Sequence, residues 1–409
     1  MRKSWRSRLA LLACLAIAGG MCLAPALGAQ STMRTPAQAV PPPSGQSLLA
    51  AAAKAETEFR FDVATDRLYT LLIEHPGTPD ALIARLRLAR LLALAGDLQP
   101  AILECQLLRD EVEPGNPLRQ QAVAMATVLG RRLRAAASPG AAYFSTFEPW
   151  PARGTQNIDE PRTIVFEGEG RFVLLDEGAG RIYRVGQETG AQEAAPQEPT
   201  AATVLPDGGV LVFGKTGLAT VPASKSVQLT GLQGGSARPF RKVRSMAALS
   251  TGDLLVIDRD YDGLIRCQYP AGTCAPAGSV GKQRVVKVGA SDWSYLLDDR
   301  GQALRILDAS QRQIAAFGPM IGNVKLERVE DIAVDQAHGL YLLDRDLKRV
   351  SVINLRATPD GKIGAVVAGA FLVPQEGERG LKNPWAMGAA PDGSLVLAGK
   401  GAPRIMRLR

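Results

Sequence analysis

Six short segments of this 409-residue chain share one pattern at equal phase, and this repeat constrains the fold more than any other feature. In each segment three mostly apolar residues lead to an anchor position, which is Asp four times and Gly twice. The segments are 173–176, 211–214, 255–258, 295–298, 341–344 and 396–399. Another short apolar run follows each anchor. Units of ~40 residues that each hold several short strands are typical of a four-stranded propeller blade.

The residues six positions before the anchors support a hairpin in every unit. They are Gly170, Gly208, Gly252, Asp292, His338 and Gly393. These residue types tolerate the positive φ that a tight hairpin requires. The equal phase of six units favours a propeller over a β-sandwich, which is the alternative all-β fold.

The two ends of the repeated region predict how the ring closes. The last unit stops at its third strand, near residues 404–408, whereas 143–147 is an alternating strand that precedes the first unit. We expect 143–147 to complete the sixth blade, because a closed ring leaves no large open sheet edge.

Several stretches resemble the NHL class of six-bladed β-propellers. The family-like stretches are 329–335, 339–344 and 348–350, and the resemblance covers about residues 141–409. Gly214 and Gly399 depart from the Asp that other units have at the anchor. The resemblance implies six blades around a central channel.

Residues 46–137 have a helical pattern instead. Apolar residues at i, i+3, i+4 and i+7 include Leu88, Leu91, Leu92 and Ala95. A proline-containing turn at 74–79 recurs at 112–117, and each copy leads into a new helix. The segment resembles tetratricopeptide repeats of the exported bacterial kind; a plain bundle of five helices is the alternative. The predicted fold class is thus α+β multidomain, with helical repeats before an all-β propeller.

The first 28 residues have the composition of a secretory signal peptide. Basic residues at positions 2, 3, 6 and 8 precede an apolar run, and small residues follow at 26–28. An uncleaved anchor, or lipid attachment at Cys14 or Cys22, is the alternative. We expect residues 29–45 to be a linker and the mature protein to be periplasmic or secreted. No later segment is apolar enough to span a membrane.

Export would place three cysteines in an oxidising compartment. Cys267 and Cys274 flank a turn between two predicted strands, so a disulfide between them is expected. Cys105 lies on a helical pattern, where we expect it to be buried.

Charge and histidine content exclude several functions. The net charge of +8 includes four basic residues of the leader, so the remainder is too nearly balanced for a nucleic-acid binder. The two histidines, His75 and His338, exclude a multi-histidine metal centre. His75 lies beside a proline in a turn, and His338 is at a hairpin position.

The residues fourteen positions before the anchors begin the innermost strands of the predicted blades, and we expect them to surround the channel mouth. They are Arg162, Thr200, Arg244, Arg284, Glu330 and Trp385. Three arginines against one carboxylate indicate an anionic ligand, a carboxylate or phosphate held by guanidinium groups, with Trp385 as a stacking surface. The alternative is a solvated rim whose side chains point outward.

One segment matches the opening of a calcium-binding loop. Asp258, Asp260 and Asp262 are followed by Gly, as in Asp-x-Asp-x-Asp-Gly. The bidentate acid that such loops need is missing, because residue 269 is Tyr. Calcium and an ordinary acidic turn both remain open.

No catalytic residues can be assigned, and no cofactor is expected apart from possible calcium. The sequence predicts a non-enzymatic binding or scaffold protein of the cell envelope that holds protein or peptide partners or an anionic ligand. The alternative is a metal-dependent, lactonase-like hydrolase or lyase with Glu330, Asp331 and the Asp258 loop as ligands. A third possibility is that the propeller is a rigid spacer and only the helical part binds.

Overall fold

The structure, a computed structural model, describes residues 43–138, 142–150, 158–168, 170–186, 190–193, 198–221, 226–233, 236–278, 280–374, 381–400 and 405–409. The predicted signal peptide and nearly all of the predicted linker lie outside the described residues. No helix of the described chain is long and apolar enough to cross a bilayer.

Five helices form the N-terminal part of the described chain. They are α1 Gly45–Thr57, α2 Phe61–Glu74, α3 Pro79–Ala95, α4 Leu98–Glu111 and α5 Pro117–Ala137. The two repeated turns start helices as expected: Thr78 accepts a hydrogen bond from the Ala81 amide (3.2 Å), and Asn116 accepts one from the Leu118 amide (2.9 Å). Consecutive helices pack against each other.

The described residues that follow the helices form a six-bladed β-propeller, as predicted. Blades one and two comprise β2 Pro161–Gly168, β3 Arg171–Asp176, β4 Arg181–Val185, β5 Gly190–Glu193, then β6 Ala201–Val204, β7 Val210–Gly214 and β8 Gly217–Val221. Blades three and four comprise β11 Val243–Ala248, β12 Leu254–Asp258, β13 Leu264–Gln268, β14 Thr273–Gly278, then β15 Gln283–Val288, β16 Ser294–Asp298, β17 Leu304–Leu307 and β18 Gln313–Phe317. Blades five and six comprise β21 Val329–Val334, β22 Gly339–Asp344, β23 Arg349–Ala357, β24 Ile363–Leu372, then β25 Lys382–Ala389, β26 Leu395–Lys400 and β27 Ile405–Leu408. The first strands of neighbouring blades contact one another around the ring, so they line the central channel.

Three features depart from six equal four-stranded units. Blade two has three strands in the described residues. Blade three has a hairpin of β9 Thr230–Gln233 and β10 Ser236–Pro239 at its outer edge, where β9 pairs with β14 in parallel. A small hairpin of β19 Met320–Ile321 and β20 Val324–Lys325 follows blade four.

The ring closes in the predicted way. Strand β1, Phe147–Pro149, pairs antiparallel with β27 and supplies the fourth strand of blade six. The amides of Ser145 and Thr146 bond to the carbonyl of Arg409 at 2.6 and 3.1 Å. The strand that closes the ring begins four residues later than the sequence pattern indicates, because 143–145 precede it as bends.

All six predicted hairpin residues adopt positive φ. The angles at Gly170, Gly208, Gly252, Asp292, His338 and Gly393 are 70°, 86°, 87°, 56°, 58° and 79°. These turns join the first and second strands, so they lie at the opposite end of the channel from the first residues of the inner strands.

The helices pack against the hairpin side of the propeller and share its hydrophobic core. Leu88 and Leu129 of the helices belong to the same buried cluster as Leu340 and Ile353 of blade five. Arg132 of α5 forms a fully buried ion pair with Asp335 (2.7 Å), which connects the two parts of the chain.

Candidate functional site

A backbone irregularity positions the predicted mouth residues. In blades one, three, four and five, the pairing of the first two strands skips one residue, and that residue is Arg162, Arg244, Arg284 or Glu330. Trp385 is likewise skipped in blade six. A β-bulge redirects its side chain, so the same bulge in five blades aims these residues at the channel mouth.

The anchor aspartates stabilise the loops next to these bulges. Asp176 accepts the amides of Asp159 and Glu160, both at 2.8 Å, and thereby fixes the residues that lead into β2. Asp258 accepts the Lys242 amide (3.0 Å) immediately before β11. The repeated Asp of the sequence therefore has a structural role at the mouth.

The structure brings all six predicted mouth residues together around one cavity of about 230 Å³. We call this set (Arg162, Thr200, Arg244, Arg284, Glu330 and Trp385) the mouth ring. Six Arg or Lys side chains and three carboxylates line the cavity, and a wider vestibule of about 840 Å³ lies outside it. The mouth therefore has an excess of positive charge.

Glu330 lies at the centre of the ion pairs in this cavity. Its side chain is only 5% exposed, and Oε1 accepts from Nη2 of Arg284 at 2.6 Å. Nη1 of Arg162 lies 3.6 Å from the same oxygen. The second oxygen, Oε2, is buried and has no hydrogen-bond partner among the described residues. The Glu330 carboxylate thus partly neutralises the charges of two arginines, while one of its oxygens accepts no hydrogen bond from the described residues.

Below Glu330, a second buried carboxylate pairs with a lysine. Asp331 accepts the amides of Ile332 (2.9 Å) and Met387 (2.8 Å), and Lys287 lies 3.4 Å from its Oδ1. Burial raises the pKa of Asp331 above its ordinary value, although Lys287 and the two amides offset part of that effect.

Sequence reasoning missed the carboxylates that neutralise the other arginines. Arg162 pairs with Glu177 (2.7 Å), and Arg244 pairs with Asp299. Both acids lie in loops between the second and third strands, which meet the mouth only in the folded blade. The mouth ring itself holds three arginines and one acid, and acids from outside the ring pair with two of these arginines. The mouth cavity still has an excess of positive charge, because other cations, such as Arg241 and Arg259, also line it.

Trp385 is not an open stacking surface. The guanidinium carbon of Arg345 lies 4.0 Å from the ring centroid and that of Arg162 lies 5.0 Å from it. Lys400 approaches the same ring at 5.8 Å. Cations of the protein occupy the face of the indole ring on which the sequence predicted a stacked ligand. The indole ring of Trp385 instead holds these arginines in place.

The three carboxylates of the predicted calcium loop do not converge. Asp258 binds backbone amides, Asp260 pairs with Lys242 (3.1 Å), and Asp262 lies 3.9 Å from Lys282. The described part of the chain contains no group of three or more His, Cys, Asp or Glu side chains suited to a metal ion. Two of the three carboxylates are thus near lysines, and the third accepts backbone amides.

The remaining predicted residues lie away from the mouth. Cys267 and Cys274 form a disulfide between adjacent strands β13 and β14, with Cα atoms 4.0 Å apart. Cys105 is buried in the helical core, and burial raises the pKa of its thiol to about 12. His338 is buried at the interface with the helices, where the Tyr295 hydroxyl lies 2.8 Å from Nδ1. His75 is half-buried in its turn.

The strand topology defines the class of protein: a six-bladed β-propeller with an N-terminal helical layer. No protein-family model and no curated protein matches the sequence. Several solved structures are similar to it. Virginiamycin B lyase from Staphylococcus aureus is 14% identical with a TM-score of 0.42, over 64% of this chain and 84% of that one. A gluconolactonase from Xanthomonas campestris is 10% identical with a TM-score of 0.42, over 62% and 86%. An auxiliary nutrient binding protein from Bacteroides thetaiotaomicron is 8% identical with a TM-score of 0.42, over 62% and 69%.

Proposed function

We propose that this protein is a non-enzymatic binding protein whose channel mouth receives a carboxylate or a phosphate. The observation that carries the proposal is the lining of the mouth cavity, in which six cationic side chains face three carboxylates. A concave surface with an excess of one charge concentrates its field and attracts ions of the opposite sign. Guanidinium groups match the geometry of carboxylate and phosphate oxygens.

The ion pairs at the mouth explain how an anion can enter without leaving buried charges unpaired. Arg244 and Arg162 are one third exposed, so both reach solvent while they contact Asp299 and Glu177. An incoming anion shares these guanidinium groups with carboxylates on the rim, where exposed pairs are weak. The Thr200 hydroxyl lines the same cavity and has no partner among the described side chains, so it supplies a further donor.

We further propose that the protein acts in the cell envelope, with the helices in a second binding role. The signal-like residues 1–28 and the disulfide are the features that support export. The tetratricopeptide-like turns support a peptide-binding role for the helices. Leu103 and Leu107 of α4 are 53% and 39% exposed, so they offer an apolar contact for a partner.

The test is capture of partners from an envelope extract, with identification of every captured protein. We expect a partner to bind the wild type and to be lost when Arg162, Arg244 and Arg284 are all changed to Ala. The matched control changes Arg60, Arg109 and Arg305 to Ala, which removes the same charge far from the mouth.

A separate variant tests the helices within the intact chain. Leu103→Ser with Leu107→Ser removes the apolar contact and leaves the mouth unchanged. Loss of the partner in this variant alone assigns binding to the helices and contradicts the mouth proposal. Capture that survives both sets of variants contradicts both roles.

A lactonase-like hydrolase or lyase is the second candidate, because Glu330 has an unused buried oxygen at the centre of the channel. Its arginine neighbours oppose a divalent cation at that position. Turnover of a lactone that vanishes in Glu330→Gln would establish this candidate in place of the binding role.

A further inference from the structure

A second ring of six residues lies deeper in the channel, and all of its members are apolar. Each is four positions after a member of the mouth ring on the same strand or at its end. This inner ring consists of Phe166, Val204, Ala248, Val288, Val334 and Ala389. All six are partly exposed and line one inner cavity of about 240 Å³. Every blade therefore contributes one apolar side chain at the same depth.

Three of the polar side chains that line the inner cavity are already engaged. Lys287 is the one charged side chain in its lining, and it contacts Asp331 at 3.4 Å. The Thr203 hydroxyl accepts the Ala248 amide (3.0 Å), and the Ser245 hydroxyl accepts the Val286 amide (3.1 Å). The six apolar side chains of the inner ring would contact a hydrocarbon, whose transfer out of water is favourable.

The two rings are separated by a distance that one molecule can span. Four residues of a β-strand cover about 13 Å at ~3.3 Å per residue. A single ligand with a charged end and an apolar end would therefore contact both rings. The lysine–carboxylate pair lies between the two levels, because Lys287 and Asp331 precede Val288 and Val334 by one and three residues.

We propose that the channel binds an anionic amphiphile, with a carboxylate or phosphate head at the mouth ring and an alkyl chain that extends to the inner ring. This inference rests on the proposed function, since it names the ligand class of the same mouth.

The experiment is calorimetric titration of the full chain with two series of probes: acetate to dodecanoate, and inorganic phosphate to dodecyl phosphate. We expect affinity to rise about fourfold for each methylene until the chain reaches the inner ring, which converts to about 0.8 kcal/mol per buried methylene. The heat-capacity change of binding becomes more negative along the series. Comparison of octanoate with octyl phosphate identifies the preferred head group, and octylammonium, which has the opposite charge, should not bind.

Two variants test whether the alkyl chain lies in the inner cavity. Ala248→Leu with Ala389→Leu narrows this cavity, so dodecanoate should lose at least about tenfold in affinity while acetate changes by less than about twofold. Ala316→Leu is the matched control, because Ala316 is exposed on the outer strand of blade four.

The possible failures are distinguishable. If dodecanoate binds no more tightly than acetate, or if the Leu variants do not weaken its binding, the amphiphile proposal is wrong while the mouth proposal stands on acetate and phosphate. If no probe of either series binds, both proposals are wrong.

Discussion

Removal of the Asp335 carboxylate should destabilise the protein more than the loss of a typical surface charge, because this group connects the helices to the propeller. Nη2 of Arg132 donates to both of its oxygens, at 2.7 and 2.8 Å. The amides of Ala337 (2.9 Å) and Gly339 (2.7 Å) and the Tyr341 hydroxyl (3.1 Å) donate to it as well. Arg132 is 2% exposed, so its guanidinium group is shielded from bulk water.

The expected magnitude follows from these contacts. In Asp335→Ala the guanidinium of Arg132 stays buried without its counter-charge, which costs about 3–5 kcal/mol. Two buried amides also lose their acceptor, at about 1–3 kcal/mol each before the structure relaxes. We expect a loss of at least about 4 kcal/mol in the free energy of unfolding.

The assay is urea denaturation followed by helical circular dichroism and by tryptophan fluorescence. Asp360→Ala is the control, since Asp360 lies on the surface and should change nothing measurable. Double substitution of Arg132→Met with Asp335→Asn should recover part of the loss, because it removes both charges together. A loss below about 1 kcal/mol in Asp335→Ala would refute the assignment of this pair as the connection between the two parts.

Three further perturbations have defined outcomes. Burial lowers the pKa of His338 from 6.5 to about 3; the unfolded chain therefore binds a proton that the fold does not, and stability should fall by up to about 1.4 kcal/mol per pH unit from pH 6.5 downward. Asn tolerates the positive φ at position 338. The urea midpoint of His338→Asn should therefore fall less between pH 7 and pH 5 than that of the wild type. An equal fall in the two proteins would contradict the assignment of this pH dependence to His338. Replacement of Cys267 and Cys274 by Ser removes a cross-link between residues seven positions apart, and should lower the free energy of unfolding by about 2–3 kcal/mol. Reductant should lower the melting temperature of the wild type but not that of this variant. Gly301→Ala should lower the free energy of unfolding by about 1–3 kcal/mol, because φ is 71° and a Cβ would meet the backbone of β21. Gly168→Ala is the control and should change little, because the space around Gly168 is open. Equal melting temperatures of the two variants would contradict this prediction.

Much of the propeller follows from the sequence because its repeats are local and equal in phase. The hairpin positions Gly252 and Asp292 needed only the spacing to the anchor, and both adopt positive φ. The same spacing identified the mouth residues, since every blade places its first strand at the channel. The closing strand was predicted because the last unit lacks a fourth strand and a strand without a partner precedes the first unit.

The features that sequence reasoning missed depend on residues that are distant in the chain. The bulges at Arg162 and Arg284 are properties of strand pairing, which alternation alone does not reveal. Asp299 reaches Arg244 from the adjacent blade's loop, 55 residues away. The helix–propeller ion pair joins positions 203 residues apart, so no local pattern marks it.

The affinity of Glu330→Gln for inorganic phosphate tests the central claim most directly. Glu330 competes with an incoming anion for Arg284 and Arg162, so removal of its charge should strengthen phosphate binding by about tenfold at low salt. That gain is well below the ~4 kcal/mol limit for two charges 4 Å apart at an effective dielectric constant of 20, and it should shrink as salt rises. Glu58→Gln, at the end of α1, should leave the affinity unchanged. Tighter phosphate binding in Glu330→Gln is the result that the account predicts. Weaker binding, or no binding by either protein, would contradict an anion site at the mouth.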